Sequence, residues 1–199
     1  MNIVFASSNP GKLRELQHAF ANQAITLIPQ ATLGVLDVPE TGLTFVENAL
    51  IKARHANQTT ALPAIADDSG LIVDALHGAP GIYSARYAGP SARAEDNIKK
   101  LLEQLVDVPQ EKRQAFFYCV IVFLRYAEDP APLMCEGRWQ GTIRDTPSGA
   151  QGFGYDPIFF DPQKNCSAAE LSLTQKHQCS HRGQALQSFI EKLTCMRSL

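Results

Sequence analysis

The sequence lacks the features that mark several classes of protein. Its five cysteines, Cys119, Cys135, Cys166, Cys179 and Cys195, are widely spaced and include no Cys-x-x-Cys pair. This pattern argues against a zinc site or a disulfide framework and favours a reducing compartment. No apolar stretch approaches the roughly 18 residues of a membrane-spanning helix, and the amino terminus shows no charged-then-apolar signal region. We therefore expect a cytoplasmic protein with no membrane partner.

The sequence also lacks a large excess of charge of either sign, since its formal net charge is only -2. A general binder of nucleic-acid polymers or membrane surfaces usually presents a basic face, so we expect neither partner. The sequence contains no repeat, low-complexity tract or linker. Its 199 residues, 45% hydrophobic and 19% charged, are enough for a substantial core. We predict a single domain over residues 1–199.

The seven residues 64–70 (AIADDSG) form the most informative stretch. An apolar approach leads to Asp67 and Asp68, Ser69 and Gly70 are turn residues, and a second apolar run follows. We therefore predict that the two acids lie where a strand ends, at the rim of a sheet, where α/β proteins bind ligands. If the pleat continues through them, their side chains point to opposite faces and cannot share one role. The alternative is an ordinary Asp-Ser-Gly turn.

The amino-terminal residues 2–20 predict a strand, a polar turn and a helix. The turn, residues 7–12 (SSNPGK), precedes an apolar helical pattern that begins at Leu13. Free amides and the positive end of a helix dipole favour anions at such a turn, and Lys12 adds a full charge. The turn is not a Walker A loop, because its first glycine is missing and Leu13 replaces the metal-binding hydroxyl. The alternative is a capped turn with Pro10 in the first helical turn.

A second helix is predicted to begin at Thr44. Thr44 and Glu47 fit a capping box, which assigns Glu47 to the helix start. Glu40 lies in the preceding loop, where it is either solvated or a partner of Asp68 on a metal. Lys52 shares one helix face with Asn48 and His55. That face is either solvated or directs Lys52 into a cleft.

The second half of the chain adds a sheet and a further set of candidates. Residues 114–126 and 133–145 predict a long antiparallel hairpin, so the sheet should be mixed. Phe153 lies between Gly152 and Gly154. Its ring either stacks on a base, worth roughly 1–3 kcal/mol, or folds into the core. His181 and Arg182 begin the last helix, where cations oppose the helix dipole and suggest a nearby anion.

Taken together, these residues suit a free nucleotide. The cations suit phosphates, an exposed ring suits a base, and carboxylates suit a hard metal. Magnesium fits, because it takes oxygen ligands and is often held by one or two carboxylates together with substrate phosphates. A nucleotide-binding sensor that does not hydrolyse its ligand would use the same residue types.

The chain closely resembles the inosine/xanthosine triphosphate pyrophosphatase family, which removes deaminated purine nucleotides from the precursor pool. The matching stretches span nearly the whole chain in family order. They are SSNPGK (7–12), ETGLTFVENALIKA (40–53), ADDSG (66–70), GAPGIYSARYAG (78–89), GFGYDPIF (152–159) and SHRG (180–183). The sequence departs from many relatives at Ser7-Ser8, where they have Thr-Gly, so the turn loses the freedom of a glycine.

The resemblance implies an ITPase-like α/β fold. It implies an elongated mixed β-sheet flanked by helices in two lobes, with a central active-site cleft and a homodimeric assembly. It also implies hydrolysis of ITP, dITP or XTP between the α and β phosphates, giving the monophosphate and pyrophosphate with Mg²⁺. A pyrophosphatase acting on other nucleotides, such as modified pyrimidines, is the nearest alternative.

The resemblance also implies a role for individual residues. Asp68 would be the general base and, with Glu40, a metal ligand, while Lys52 is a candidate for contact with the departing pyrophosphate. The residues implied to bind the phosphates are Ser7, Ser8, Asn9, Pro10, Gly11 and Lys12. The residues implied to bind the rest of the substrate are Ser69, Phe153, Gly154, Tyr155, Asp156, Lys176, His181 and Arg182.

Overall fold

The structure is a computed structural model that describes residues 1–21 and 23–197. Its strands follow the chain in the order β1 to β7. They are β1 (Asn2–Phe5), β2 (Thr26–Pro29), β3 (Ala64–Val73), β4 (Gln114–Leu124), β5 (Leu133–Ile143), β6 (Phe159–Asp161) and β7 (Cys166–Ser167). They join one sheet in the spatial order β2-β1-β3-β4-β5-β6-β7.

Helices separate most of the strands. The α-helices are α1 (Pro10–Phe20), α2 (Phe45–Thr60), α3 (Ala94–Gln104), α4 (Leu173–Cys179) and α5 (His181–Arg197). Short 3₁₀ helices occupy Gln30–Leu33, Asp74–Leu76, Gly81–Arg86, Gln110–Lys112 and Ala168–Glu170. Within the described part of the chain, no helix combines the length and apolar character needed to cross a membrane.

The sheet is mixed, as the sequence predicts. β1 pairs in parallel with both β2 and β3. β6 pairs antiparallel with both β5 and β7. Parallel neighbours need a crossover connection, and α1 and α2 lie in the two connections that join the parallel strands. The predicted α/β class with a mixed sheet and flanking helices is therefore confirmed.

The chain divides into two compact units, each with its own apolar core. The first comprises Met1–Asp68, Cys119–Gly137 and the described part of Arg182–Leu199; the second comprises Ser69–Tyr118 and Arg138–His181. In the first unit, buried residues of α1 and α5 pack with buried residues of β1, β3, β4 and β5. In the second unit, Trp139 and Phe159 pack with buried residues of β3, β4 and α3.

Strand β3 overturns one prediction from the sequence. The strand does not end at the two acids, and Ser69 and Gly70 form no turn, because β3 runs without a break from Ala64 to Val73. Eight of the ten residues of β3 are buried, and the carboxylates of Asp67 and Asp68 each pair with a lysine. The charge therefore does not break the strand, and the pleat continues through Asp67 and Asp68.

Candidate functional site

Asp67 lies on one face of β3, inside a buried cluster of charges. Its side chain is only 1% exposed, and its Oδ2 atom lies 3.0 Å from Lys12 Nζ. Arg182 Nε donates to the same oxygen at 3.2 Å, and a second nitrogen of Arg182 pairs with Glu15. The cluster thus joins α1, β3 and α5 within the first unit. A buried acid with two cationic partners is held in its charged form.

The pKa values of this cluster follow from its geometry. Burial by itself raises the pKa of Asp67, but the charges of Lys12, Arg182 and Lys52 outweigh burial and hold that pKa well below its usual range. Burial lowers the pKa of Arg182, whereas Glu15 and Asp67 raise it further, so the guanidinium stays charged. Burial and the nearby Asp67 raise the pKa of the Cys119 thiol to about 12. These groups keep one charge state throughout the physiological range.

Asp68 points to the opposite face and has a different set of partners. Lys52 Nζ lies 3.3 Å from Asp68 Oδ1 and 2.7 Å from Glu40 Oε1. Asn48 Nδ2 donates to the other oxygen, Asp68 Oδ2, at 3.3 Å. Lys52 therefore bridges the two acids, so Glu40 is not simply solvated. The solvated-face interpretation is also wrong for Asn48, which is fully buried, and for Lys52, whose side chain is 14% exposed.

The two neighbouring acids have pKa values displaced in opposite directions. Burial raises the pKa of Asp68, and repulsion from Glu40 and Asp67 adds to this, while Lys52 and Lys12 oppose it. Burial lowers the pKa of Lys52, but its three acidic neighbours outweigh that effect and raise it. Environments that separate the pKa values of paired acids assign them different chemical roles. Asp68 is the member of the pair suited to accept a proton.

The turn before α1 adopts the capped geometry. Asn9 is the N-cap, and its Oδ1 accepts from the amides of Gly11 at 2.8 Å and Lys12 at 3.1 Å. Ser7 Oγ accepts from the Asn9 amide at 3.2 Å, and Ser8 Oγ donates to Asp37 Oδ1 at 2.7 Å. The capped-turn interpretation is thus confirmed. It leaves Ser8, Asn9 and Pro10 exposed, beside a Lys12 side chain that is 12% exposed.

A metal site is supported by the chemistry of the donors around Lys52. Glu40 and Asp68 each place a carboxylate oxygen within 3.3 Å of the same ammonium, so the two acids converge on one positive charge. Two carboxylates plus substrate phosphates form a donor set that suits Mg²⁺. Among the described residues, no group of three or more His, Cys, Asp or Glu side chains is arranged to hold a metal. The pair fits an ion that takes part of its coordination from a ligand.

The second unit contains a separate cluster of predicted site residues. Asp156 is 2% exposed, accepts from Lys176 Nζ at 2.6 Å and accepts from the Phe153 amide at 2.7 Å. Lys176 Nζ also lies 4.9 Å from the centre of the Phe153 ring. Gly152 has a φ of +78°, and a Cβ there would stand 2.1 Å from Asp156 Oδ2. This close approach explains why a glycine precedes Phe153.

Phe153 is half-buried and forms part of the wall of a groove of about 810 Å³. Ile98 and Leu102 of α3 also line this groove. The interpretation that Phe153 folds into the core is therefore wrong. Tyr155, by contrast, lies in the core of the second unit, and its hydroxyl donates to the Ser84 carbonyl at 3.0 Å. The structure shows this packing role, and contact of Tyr155 with a substrate stays a prediction.

His181 and Arg182 have different surroundings although they are adjacent in sequence. The His181 ring is 5% exposed and stacks on Phe117 with 4.8 Å between ring centres. Arg182 is 1% exposed and meets the anions Glu15 and Asp67. The predicted nearby anion is therefore present in the protein itself. Contact of His181, Arg182, Ser69 and Gly154 with a substrate stays a prediction.

Sequence reasoning missed the roles of three residues, namely Glu15, Asn48 and Asp67. Glu15 follows Lys12 by three positions, a spacing that places both on one side of α1. Asn48 precedes Lys52 by four positions on α2, which is the same kind of signal. Asp67 was ambiguous because a strand alternates its side chains without indicating which face holds the cations.

Comparison with known proteins identifies the family. The model of the Ham1 family matches residues 3–192. The chain belongs to the Ham1 family. This Ham1-family chain is 58% identical over 191 residues to a protein of Yersinia pseudotuberculosis named "dITP/XTP pyrophosphatase", covering 96% of this chain and 97% of the relative. It is 56% identical, with the same coverage, to a protein of that name from Escherichia coli K12.

A solved structure extends the comparison to three dimensions. The structure of a HAM1 protein from Coxiella burnetii superposes on the Ham1-family chain with a TM-score of 0.91. The two sequences are 50% identical, and the match covers 98% of both chains. The family resemblance and the mixed-sheet fold predicted from the sequence are confirmed.

Proposed function

We propose that the chain hydrolyses deaminated purine nucleoside triphosphates, namely ITP, dITP and XTP, to the monophosphate and pyrophosphate. Membership of the Ham1 family and relatives named dITP/XTP pyrophosphatase support this activity. The assignment of roles to residues rests on one observation, namely that the adjacent acids Asp67 and Asp68 have different partners. Asp67 is locked between cations, whereas Asp68 faces Lys52 and Glu40. Removal of these nucleotides would keep abnormal bases out of DNA and RNA.

Asp68 acts as the general base in this proposal. A carboxylate whose pKa is raised by burial accepts a proton more readily than an exposed one, and such matching supports general-base catalysis. Asp68 takes a proton from a water molecule whose oxygen attacks the α-phosphorus. The bond between the α-phosphorus and the bridging oxygen breaks, and pyrophosphate departs with the bonding electrons.

The cations of the first unit bind the phosphates. Lys12 lies at the first turn of α1, where the helix dipole also favours negative charge. We assign Lys12, the exposed residues of the 7–12 turn and Lys52 to the charge on the departing pyrophosphate. Lys52 is included because its ammonium lies 3.3 Å from Asp68 Oδ1, beside the acid assigned as the general base.

We propose that Glu40 and Asp68 hold Mg²⁺ together with substrate phosphates. The bound ion supplies a Lewis acid that offsets phosphate charge. With Mg²⁺ bound, Lys52 would balance the carboxylate charge that the ion does not neutralise. The two acids would supply oxygen ligands from the protein in addition to the phosphate oxygens.

Specificity for the base is assigned to the cluster around Phe153. Its half-buried ring offers a stacking surface, and Lys176 and Asp156 place polar groups beside it. Donors facing the 6-oxo group of hypoxanthine or xanthine would be left unpaired by the 6-amino group of adenine, and such mismatches reject a substrate strongly. The assignment predicts poor turnover of ATP.

The deciding experiment measures pyrophosphate release from ITP, XTP, dITP, ATP and GTP with Mg²⁺. We expect turnover of ITP, XTP and dITP, little of ATP and none with EDTA. Asp68→Asn should keep most nucleotide binding and lose about 100-fold or more in kcat, the usual scale of general-base catalysis. Asp107→Asn, an exposed acid, is the matched control. Equal turnover of ATP and ITP would refute the specificity, and near-normal Asp68→Asn turnover would remove Asp68 from the base role.

Two alternatives give different results in the same assay. A pyrophosphatase for modified pyrimidine nucleotides would prefer those substrates, and a non-hydrolysing sensor would bind nucleotide without releasing pyrophosphate. A homodimer without nucleic-acid or membrane partners stays our prediction for the assembly. All five cysteines are free thiols, which suits the cytoplasmic location that we propose.

A further inference from the structure

Asn48 lies in the first turn of α2. Its side-chain amide is buried and hydrogen-bonded through both its oxygen and its nitrogen. It is 0% exposed. Its Oδ1 accepts from the Gly42 amide at 2.8 Å, and its Nδ2 donates to Asp68 Oδ2 at 3.3 Å. Buried polar groups are costly unless they are hydrogen-bonded, so both contacts are needed for the residue to remain there.

The helix holds Asp68 through both carboxylate oxygens. Lys52, one helical turn after Asn48, contacts Asp68 Oδ1, while Asn48 contacts Asp68 Oδ2. Residues four apart on a helix share a face, which explains why both reach the same carboxylate. The Lys52 contact provides a positive charge, whereas the Asn48 contact is an uncharged hydrogen bond that orients the carboxylate.

Asn48 also anchors the loop that carries Glu40. Gly42 follows Glu40 by two residues and packs directly on the helix. A Cβ at Gly42 would stand 2.6 Å from the Glu47 Cβ and 2.8 Å from Asn48 Oδ1. Only a glycine allows the loop to come this close. One amide side chain therefore connects the loop of Glu40 to the carboxylate of Asp68.

We propose that Asn48 is a positioning residue for the reaction, setting the orientation of Asp68 and the placement of the Glu40 loop. This inference rests on the assignment of Asp68 as the base in the proposed function. An asparagine suits the position because it offers one donor and one acceptor without charge. An aspartate would place a further negative charge beside Asp68, and an alanine would leave the Gly42 amide and Asp68 Oδ2 without this partner.

The test compares Asn48→Asp and Asn48→Ala with the parent protein, using dITP and Mg²⁺. Asn48 touches an acid and a loop rather than the phosphates. We therefore expect kcat to fall about 100-fold, the scale of a misplaced reacting group, with KM changed by less than about threefold. Gly42→Ala, which pushes on the same amide without altering it, should lower kcat in the same selective way. Lys12→Ala should instead raise KM.

Asn57→Ala is the matched control for loss of a buried asparagine. Asn57 lies on the same helix, is 5% exposed and donates to the Leu62 carbonyl at 2.7 Å, away from the acids. We expect it to lower Tm while kcat at a temperature well below Tm stays within about twofold of the parent. All rates are referred to the folded fraction measured by circular dichroism, so a variant that partly unfolds still reports on the folded enzyme.

The outcomes separate this inference from the proposed function. An active parent, an inactive Asp68→Asn variant and a normal kcat in both Asn48→Asp and Gly42→Ala would overturn the inference alone. A kcat loss in Asn57→Ala equal to that in Asn48→Ala would also overturn it, because the effect would then be structural. A folded parent that releases no pyrophosphate from any purine triphosphate would overturn both.

Discussion

Replacement of Asp67 by asparagine tests the buried charge cluster of the first unit. The substitution keeps the size of the side chain and removes the charge that balances Lys12 and Arg182. Loss of one partner from a buried ion pair costs about 3–5 kcal/mol. Arg182 keeps Glu15, and Lys12 is partly exposed, so we expect the lower end of that range, about 3 kcal/mol.

The expected change in Tm follows from the length of the chain. Unfolding entropy is about 2.1 cal/mol/K per residue, or roughly 0.4 kcal/mol/K for 199 residues. A loss of about 3 kcal/mol should therefore lower Tm by about 7 °C. Thermal unfolding followed by circular dichroism, in buffer with EDTA and without nucleotide, measures this difference without any contribution from a bound ligand.

The pH dependence gives a second measurement. The pKa of Asp67 is lower in the folded protein than its usual value near 3.9, so the folded state binds fewer protons there than the unfolded state. Its stabilisation is complete above about pH 4 and is lost as the pH falls toward the folded pKa. The Tm difference between parent and Asp67→Asn should accordingly be full at pH 7 and shrink below about pH 4.

An exposed ion pair provides the control. Lys99 and Glu103 are 3.9 Å apart on α3 and are 78% and 64% exposed, so Glu103→Gln should change Tm by less than about 1 °C. A Tm loss under about 2 °C in Asp67→Asn, or a loss that does not vary with pH, would refute the charge-cluster argument.

Two further predictions concern the Phe153 cluster. Gly152→Ala should lower Tm more than Gly34→Ala, because both glycines have positive φ but only Gly152 would also collide with Asp156; equal losses in thermal unfolding would show that backbone strain alone matters. Phe153→Ala should raise KM for dITP about tenfold or more through lost stacking, whereas Tyr126→Ala, an exposed ring, should not; an unchanged KM in steady-state kinetics would remove Phe153 from base recognition.

Much of the local structure was predictable because it depends on neighbours in sequence. The capping box of Thr44 and Glu47 is present in α2, and Pro10 lies in the first turn of α1 behind the Asn9 cap. The turn predicted at Ser69 and Gly70 was wrong because composition alone cannot show that flanking charges are neutralised. Once they are neutralised, the burial of Leu71 and Val73 favours an unbroken strand.

The site was predictable in its residue types and less so in its pairings. Lys52 was ambiguous between a solvated face and a cleft, since a helix pattern does not indicate what covers a polar face. The loop carrying Glu40 decides this, because Glu40 and Asp68 both contact the Lys52 ammonium. His181 and Arg182 resemble an anion site in sequence, yet the acids that meet Arg182 are Glu15 and Asp67.

The sequence by itself determined the family and the mixed α/β class, and it predicted that Asp67 and Asp68 face opposite ways if the pleat continues through them. It did so because motif order, strand alternation and helix caps are local properties of the chain. Tertiary structure alone decided which acid is buried between Lys12 and Arg182 and which lies beside Lys52. Arg182 lies 115 residues from Asp67, and only folding brings such distant charges within 3.2 Å.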